Sequence, residues 1–123
     1  MARAICPEVR ATRFSPPNPV KYASSLNRTQ AQVDSDGVMR FVISHRDPGV
    51  ANWLATGGAE RGYLMIRWQG VLTPLAPADQ PHAVRVRLSD LDVHLPANTA
   101  RVTEEQRATL LSLRAQLPAL KQE

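Results

Sequence analysis

The residues that could do chemistry concentrate between Ile43 and Gln69, in the stretch ISHRDPGVANWLATGGAERGYLMIRWQ. His45 could act as a general base oriented by Asp47, and this pair predicts a hydrolase-type enzyme or enzyme subunit. The same stretch supplies cationic, amide and indole groups that could bind a small anionic ligand. These candidate ligand-binding residues are Arg46, Asn52, Trp53, Arg61, Arg67 and Trp68.

Turn chemistry offers a structural interpretation of the loop from Arg46 to Gly62. Asp47-Pro48-Gly49 has the composition of a tight turn, since proline presets φ at the second position and glycine accepts a positive φ at the third. Thr56-Gly57-Gly58 predicts a second reversal of the chain. Trp53 would be the core plug of an ordered loop whose polar groups satisfy its own backbone. We favour this interpretation over a pocket wall, and whether the chain is an enzyme stays open.

Metal and cofactor chemistry have no support in the sequence. The three histidines, His45, His82 and His94, lack metal-ligand spacing, so we predict no metal site and no cofactor. The glycines match neither a P-loop nor a GxGxxG motif, and no serine lies in a GxSxG elbow.

Charge and cysteine content limit the partners and the compartment. The net charge is +4, but the basic residues are scattered, which does not favour nucleic-acid binding. No apolar run is long enough for a membrane span, and the N-terminus lacks a secretory signal. The single cysteine, Cys6, fits a reducing compartment. We therefore predict a cytoplasmic protein that does not bind membranes.

Four segments have the pattern of β-strands, near residues 28–33, 38–44, 63–70 and 84–88. Asp36-Gly37 predicts a hairpin between the first two. The third segment alternates, with its apolar side chains Leu64, Ile66 and Trp68 on one face. In the fourth segment Val84, Val86 and Leu88 are predicted to be buried.

The C-terminal part is predicted to be helical. A short turn follows Ser89, and Thr103 and Gln106 form a capping box that begins a helix. Pro118 disfavours helical geometry at Leu117, so the helix should end near there. Four leucines form an apolar stripe predicted to dock on the sheet or on another subunit. The stripe comprises Leu110, Leu113, Leu117 and Leu120.

These elements predict a mainly β fold with an antiparallel sheet and a C-terminal α-helix. We divide the chain into an irregular N-terminal arm at 1–23, a β domain at 24–100, and a helix and tail at 101–123.

Residues 24–115 resemble the C-terminal part of the uncharacterised bacterial family catalogued as domain of unknown function 1214. The resemblance rests on Ser25-Leu26-Asn27, Asp36-Gly37, Asp47-Pro48-Gly49-Val50, Asn52-Trp53-Leu54, Gly57 or Gly58, Arg67-Trp68, and a tail with Leu91, Leu95-Pro96, Thr103 and Arg107. It implies an antiparallel β-sandwich of jelly-roll type, whole or partial, and no established reaction. A jelly roll takes about eight strands, so this chain would be a truncated half or would complete its sheet with a partner.

The leading functional hypothesis is an accessory β domain that binds a ligand or partner, with its site framed by the 46–62 loop. The alternatives are the enzyme using His45 and Asp47, or a structural fragment that serves oligomerisation. The predicted partners are a second copy of the chain or a partner β domain.

Overall fold

The computed structural model describes the backbone of residues 2–6 and the whole of residues 23–116. Four short strands are present: β1 Ala2–Cys6, β2 Met39–Ser44, β3 Trp53–Ala55 and β4 His82–Arg85. Two α-helices follow, α1 Leu91–His94 and α2 Glu104–Gln116. Single 3₁₀ turns cover Pro77–Asp79 and Leu88–Asp90.

The strands form one sheet in the order β3-β2-β1-β4, and every neighbouring pair is parallel. β1 lies between β2 and β4, with Ala2 opposite Met39 and Arg3 opposite His82. Residues 2–6, which we predicted to belong to an irregular arm, therefore form an inner strand. Residues 1 and 7–22 of that arm lie outside the described residues, whereas its last residue, Ala23, is buried.

The predicted antiparallel β-sandwich of jelly-roll type is wrong. The sheet is short and parallel, and of the predicted strands only 39–44 and 84–85 are strands within the described residues. Residues 28–30 form a turn, and 63–70 form no strand. The physical reason is that alternating β-prone residues form a strand only when another strand satisfies their backbone. The partner of β2 comes from the distant N-terminus, so the pattern around β2 does not reveal it.

The Asp36-Gly37 turn forms, but it joins no hairpin. Gly37 has a positive φ of 79° and its amide donates to the carbonyl of Asp34 at 2.9 Å. Because 28–33 is not a strand, the turn leads into β2 alone.

The loop after β2 is compact and contains β3. Val42 pairs with Trp53 and Ser44 with Ala55, so residues 45–52 return the chain to the start of a parallel neighbour. A parallel connection usually needs a dozen or more residues. Eight suffice because the two strands pair over only three residues, a rise of about 10 Å.

The apolar core lies between β2, this loop and the segment around α1. It comprises Val42, Val50, Val86, Leu91 and Leu95, with Leu88 packed against it. The predicted burial of Val86 is confirmed, Leu88 is partly buried, and Val84 is 50% exposed.

Helix α2 begins as predicted but does not bury the predicted stripe. The Thr103 amide donates to Oε1 of Gln106 at 2.9 Å, and the Gln106 amide donates to Oγ1 of Thr103 at 3.1 Å, which completes the capping box. Leu110 and Leu113 are 50% and 55% exposed, and the buried residue of the helix is Arg107. Leu117, Leu120 and the predicted end of the helix lie outside the described residues.

Candidate functional site

The turn at Asp47 forms as predicted and receives an arginine from α2. Gly49 has a positive φ of 71°, and its amide donates to the Asp47 carboxylate at 2.8 Å. The same carboxylate accepts from Nε of Arg107 at 2.8 Å and from its Nη2 at 3.3 Å. Nη2 of Arg107 also donates to the Val50 carbonyl. A guanidinium group thus joins the turn to the helix through a two-pronged ion pair.

Trp53 is the buried plug that the structural interpretation predicted. It is 9% exposed, and its indole N–H donates to the Ser44 carbonyl at 3.1 Å. Cζ of Arg107 lies 5.0 Å from the centroid of its ring, within the range of a cation–π contact.

Asn52 is buried and holds the loop to its neighbours. Its side-chain amide donates to the carbonyls of Gln32 at 2.7 Å and Arg40 at 2.9 Å, and its Oδ1 accepts from the Gln32 amide at 2.7 Å. Both donors and the acceptor are used within the protein. Asn52 is therefore a structural residue of the loop rather than a residue open to a ligand.

The second reversal of the loop also forms as predicted. Gly57 and Gly58 have positive φ values of 61° and 86°. A Cβ at Gly58 would lie 3.7 Å from Cε1 of His45, so this reversal and the histidine are neighbours. His45 itself is exposed.

The structure does not bring His45 and Asp47 together as an acid–base pair. Within the described residues, the hydrogen bonds of the Asp47 carboxylate go to Gly49 and Arg107, not to the imidazole. The enzyme hypothesis therefore lacks an oriented base at this position.

The three candidate anion-binding arginines, Arg46, Arg61 and Arg67, are exposed. Trp68 is 40% exposed. Asn52 and Trp53, in contrast, are 7% and 9% exposed and are bonded inside the protein. The predicted small anionic ligand stays a prediction.

A second charged cluster surrounds Arg40 and was not predicted. Nη1 of Arg40 lies 2.8 Å from Asp34, and Nη2 lies 2.8 Å from Asp36. The hydrogen bond from Arg40, helped by the Val38 amide, lowers the pKa of Asp36 from 3.8 to about 2. The spacing of the two acidic residues and the arginine was visible in the sequence, but nothing in it showed that the arginine turns back to both.

Arg107 is the site residue that sequence reasoning missed. Its partner Asp47 lies sixty residues away in the chain. An arginine near the start of an amphipathic helix is usually a solvated residue, so helical pattern did not indicate that this one is buried. The signal that singled it out was its place among the residues that carry the family resemblance.

An apolar segment, residues 63–72, forms no strand or helix and is largely open to solvent, with Ile66 partly buried. Six of the eleven exposed large apolar residues of the described part of the chain fall within these ten positions. Met65 is 71% exposed and Leu72 is 97% exposed. Between residues 64–72 and the rest of the described chain, no backbone–backbone hydrogen bond is formed. Such a concentration of apolar surface marks an interaction site more often than a free surface.

Two further types of site are absent from the described residues. They contain no group of three or more histidine, cysteine or acidic side chains placed to hold a metal ion. Among the described helices, none has the length and apolar character to cross a membrane.

Comparison with known proteins identifies no relative. No family model, no curated protein and no solved structure matches the chain.

Proposed function

We propose that the chain is an accessory domain without catalytic activity. It would bind another polypeptide through the apolar segment 63–72, and the partner we propose is a second copy of the same chain. The observation that supports this proposal is the exposure of that segment beside an ordered, well-bonded loop. Burial of its apolar surface on association would stabilise the dimer by about 25 cal/mol per Å².

The sequence of the segment suits pairing with itself. In an antiparallel pair of strands related by a twofold axis through Ile66, Leu64 of one copy lies opposite Trp68 of the other. The two Ile66 residues face each other, so the apolar face of the pair is continuous. Such cross-strand pairs each contribute about 0.2–1 kcal/mol.

The arginine of the segment selects this register. With the axis at Ile66, Arg67 lies opposite Met65. With the axis at Arg67, two like charges would lie directly opposite each other and would destabilise the pair. A twofold dimer is also the commonest symmetric oligomer.

Cysteine cross-linking tests the proposal and the register together. In a Cys6→Ser background, Ile66→Cys would place two thiols opposite each other at the twofold axis, within reach of a disulfide. We expect oxidation to give a covalent dimer in high yield. Val93→Cys is the matched control, because Val93 is 84% exposed on α1 and does not belong to the segment. Equal cross-linking of the two variants would contradict the proposal.

We also propose that the chain corresponds to the C-terminal part of the family catalogued as domain of unknown function 1214. Support comes from the structural roles of the residues that carry the resemblance: Asp47 and Gly49 form the turn, Asn52 bonds the loop and Trp53 fills it. With a single cysteine in the sequence, we place the chain in the cytoplasm.

A further inference from the structure

Arg107 binds to a set of groups from the loop after β2, here called the guanidinium site. The Asp47 carboxylate accepts two of its N–H groups, the Val50 carbonyl accepts from Nη2, and the Trp53 ring lies 5.0 Å from Cζ. Its side chain is 8% exposed. Carboxylate, carbonyl and aromatic face are the three types of group that a guanidinium binds.

Contacts outside α2 hold the groups of the guanidinium site in place. The Gly49 amide fixes the Asp47 carboxylate, and the Ser44 carbonyl fixes the indole of Trp53. Val50 is 2% exposed, and an isolated antiparallel β-bridge joins its backbone to Arg101. Arg101 precedes the first residue of α2, Glu104. A site whose groups are already positioned binds with little cost of ordering.

Arg107 belongs to helix α2, whose other described residues are exposed or only partly buried. Leu110 and Leu113 lie half exposed, and the other arginine of the inner face, Arg114, reaches Ser25 at 3.2 Å. Among the described residues of α2, the inner face thus carries two arginines and one partly buried leucine, Leu111.

We propose that Asp47, the Val50 carbonyl and Trp53 form a guanidinium-binding site that Arg107 occupies within the chain and that takes a guanidinium group from another molecule when Arg107 is withdrawn. The site selects guanidinium over ammonium, because a planar fork can bond the carboxylate with two N–H groups while it stacks on the ring.

Chemical rescue of Arg107→Ala by ethylguanidinium tests the site. At a ligand concentration about ten times its Kd, we expect Tm to rise by about 5 °C. In a Trp68→Phe background, the fluorescence of Trp53 should change with the same midpoint. Ethylammonium is the ligand control. The double variant Arg107→Ala, Asp47→Asn is the protein control, and it should lose the response.

The experiment tests the proposal whether or not Arg107→Ala folds. If the variant is folded, no response to ethylguanidinium, or an equal response to ethylammonium, overturns it. If the variant is unfolded, refolding by ethylguanidinium, followed by circular dichroism, supports it, and failure to refold overturns it. Acetylarginine amide and a peptide of residues 103–116 then distinguish a small guanidino compound from an arginine on a polypeptide, according to which binds more tightly.

Discussion

At the scale of single residues, Arg107 joins three groups of the loop and should be needed for stability. Arg107→Ala leaves the partly buried Asp47 carboxylate without its ion pair, so we expect the free energy of unfolding to fall by about 2–3 kcal/mol. Urea denaturation followed by circular dichroism measures this loss. Arg101→Ala is the matched control, because its ion pair with Asp92 at 2.6 Å is exposed and should contribute less than about 1 kcal/mol. Equal losses would contradict the role we assign to Arg107.

Asn52 should tolerate no change in its donor and acceptor groups. Asn52→Asp removes both N–H donors and places a carboxylate against the carbonyls of Gln32 and Arg40, so we expect a loss of about 2 kcal/mol or more. Thermal unfolding at neutral pH measures it. The exposed Asn98→Asp is the control, and a loss as small as that of the control would show that Asn52 does not hold the loop.

Asp36 should make stability depend on acid pH. Its pKa is lowered from 3.8 to about 2 by Arg40, so the unfolded chain binds its proton more readily. The stabilisation is therefore complete above pH 3.8 and is lost as the pH falls toward 2. Comparing unfolding of the wild type and Asp36→Asn across this range checks the sign. The difference between the two should shrink as the pH falls, and a constant difference would argue against the Asp36–Arg40 bond.

Local chemistry was predictable for single residues, whereas partners from distant parts of the chain were not. The positive φ of Gly49, Gly57 and Gly58 follows from turn composition, and the burial of Trp53 follows from its large apolar ring. The pairing of Asp47 with Arg107 depends on how two remote segments pack. The sequence therefore suggested His45 as the neighbour of Asp47 when the carboxylate in fact binds α2.

At the scale of elements, the capping box should control α2. Thr103→Ala removes the oxygen that accepts from the Gln106 amide, so we expect a loss of about 1 kcal/mol. Urea denaturation with far-ultraviolet circular dichroism measures it. Thr109→Ala is the control, since Thr109 lies inside the helix and bonds only back to the Glu105 carbonyl, where alanine is the better helix former. A loss at Thr109 as large as at Thr103 would contradict the capping role.

Helix α2 and strand β2 were predictable because their signals are local, namely a capping box and a short β-prone run after a glycine turn. The sheet was not, because β1 comes from a segment without a clear period and enters between β2 and β4. Residues 63–70 have the better strand pattern, yet no strand of the described chain pairs with them. Pattern alone cannot say which segment finds a partner within one molecule.

At the scale of the whole molecule, the question is whether the apolar segment 63–72 mediates dimerisation or is only exposed. Met65→Glu would place a carboxylate opposite Arg67 twice in the proposed dimer, so we expect tighter association by about 0.4–2 kcal/mol in total. Sedimentation equilibrium at several concentrations measures the dissociation constant. Met65→Gln is the uncharged control, and equal constants for the two variants would exclude the proposed register.

The most direct measurement is sedimentation velocity of the wild type beside Ile66→Asp, which would put two carboxylates face to face at the twofold axis. The account predicts that the wild type sediments with twice the chain mass of 13.6 kDa at high concentration and dissociates on dilution, while Ile66→Asp stays folded and monomeric. A wild type that is monomeric at every concentration, or a variant that dimerises equally well, would contradict it.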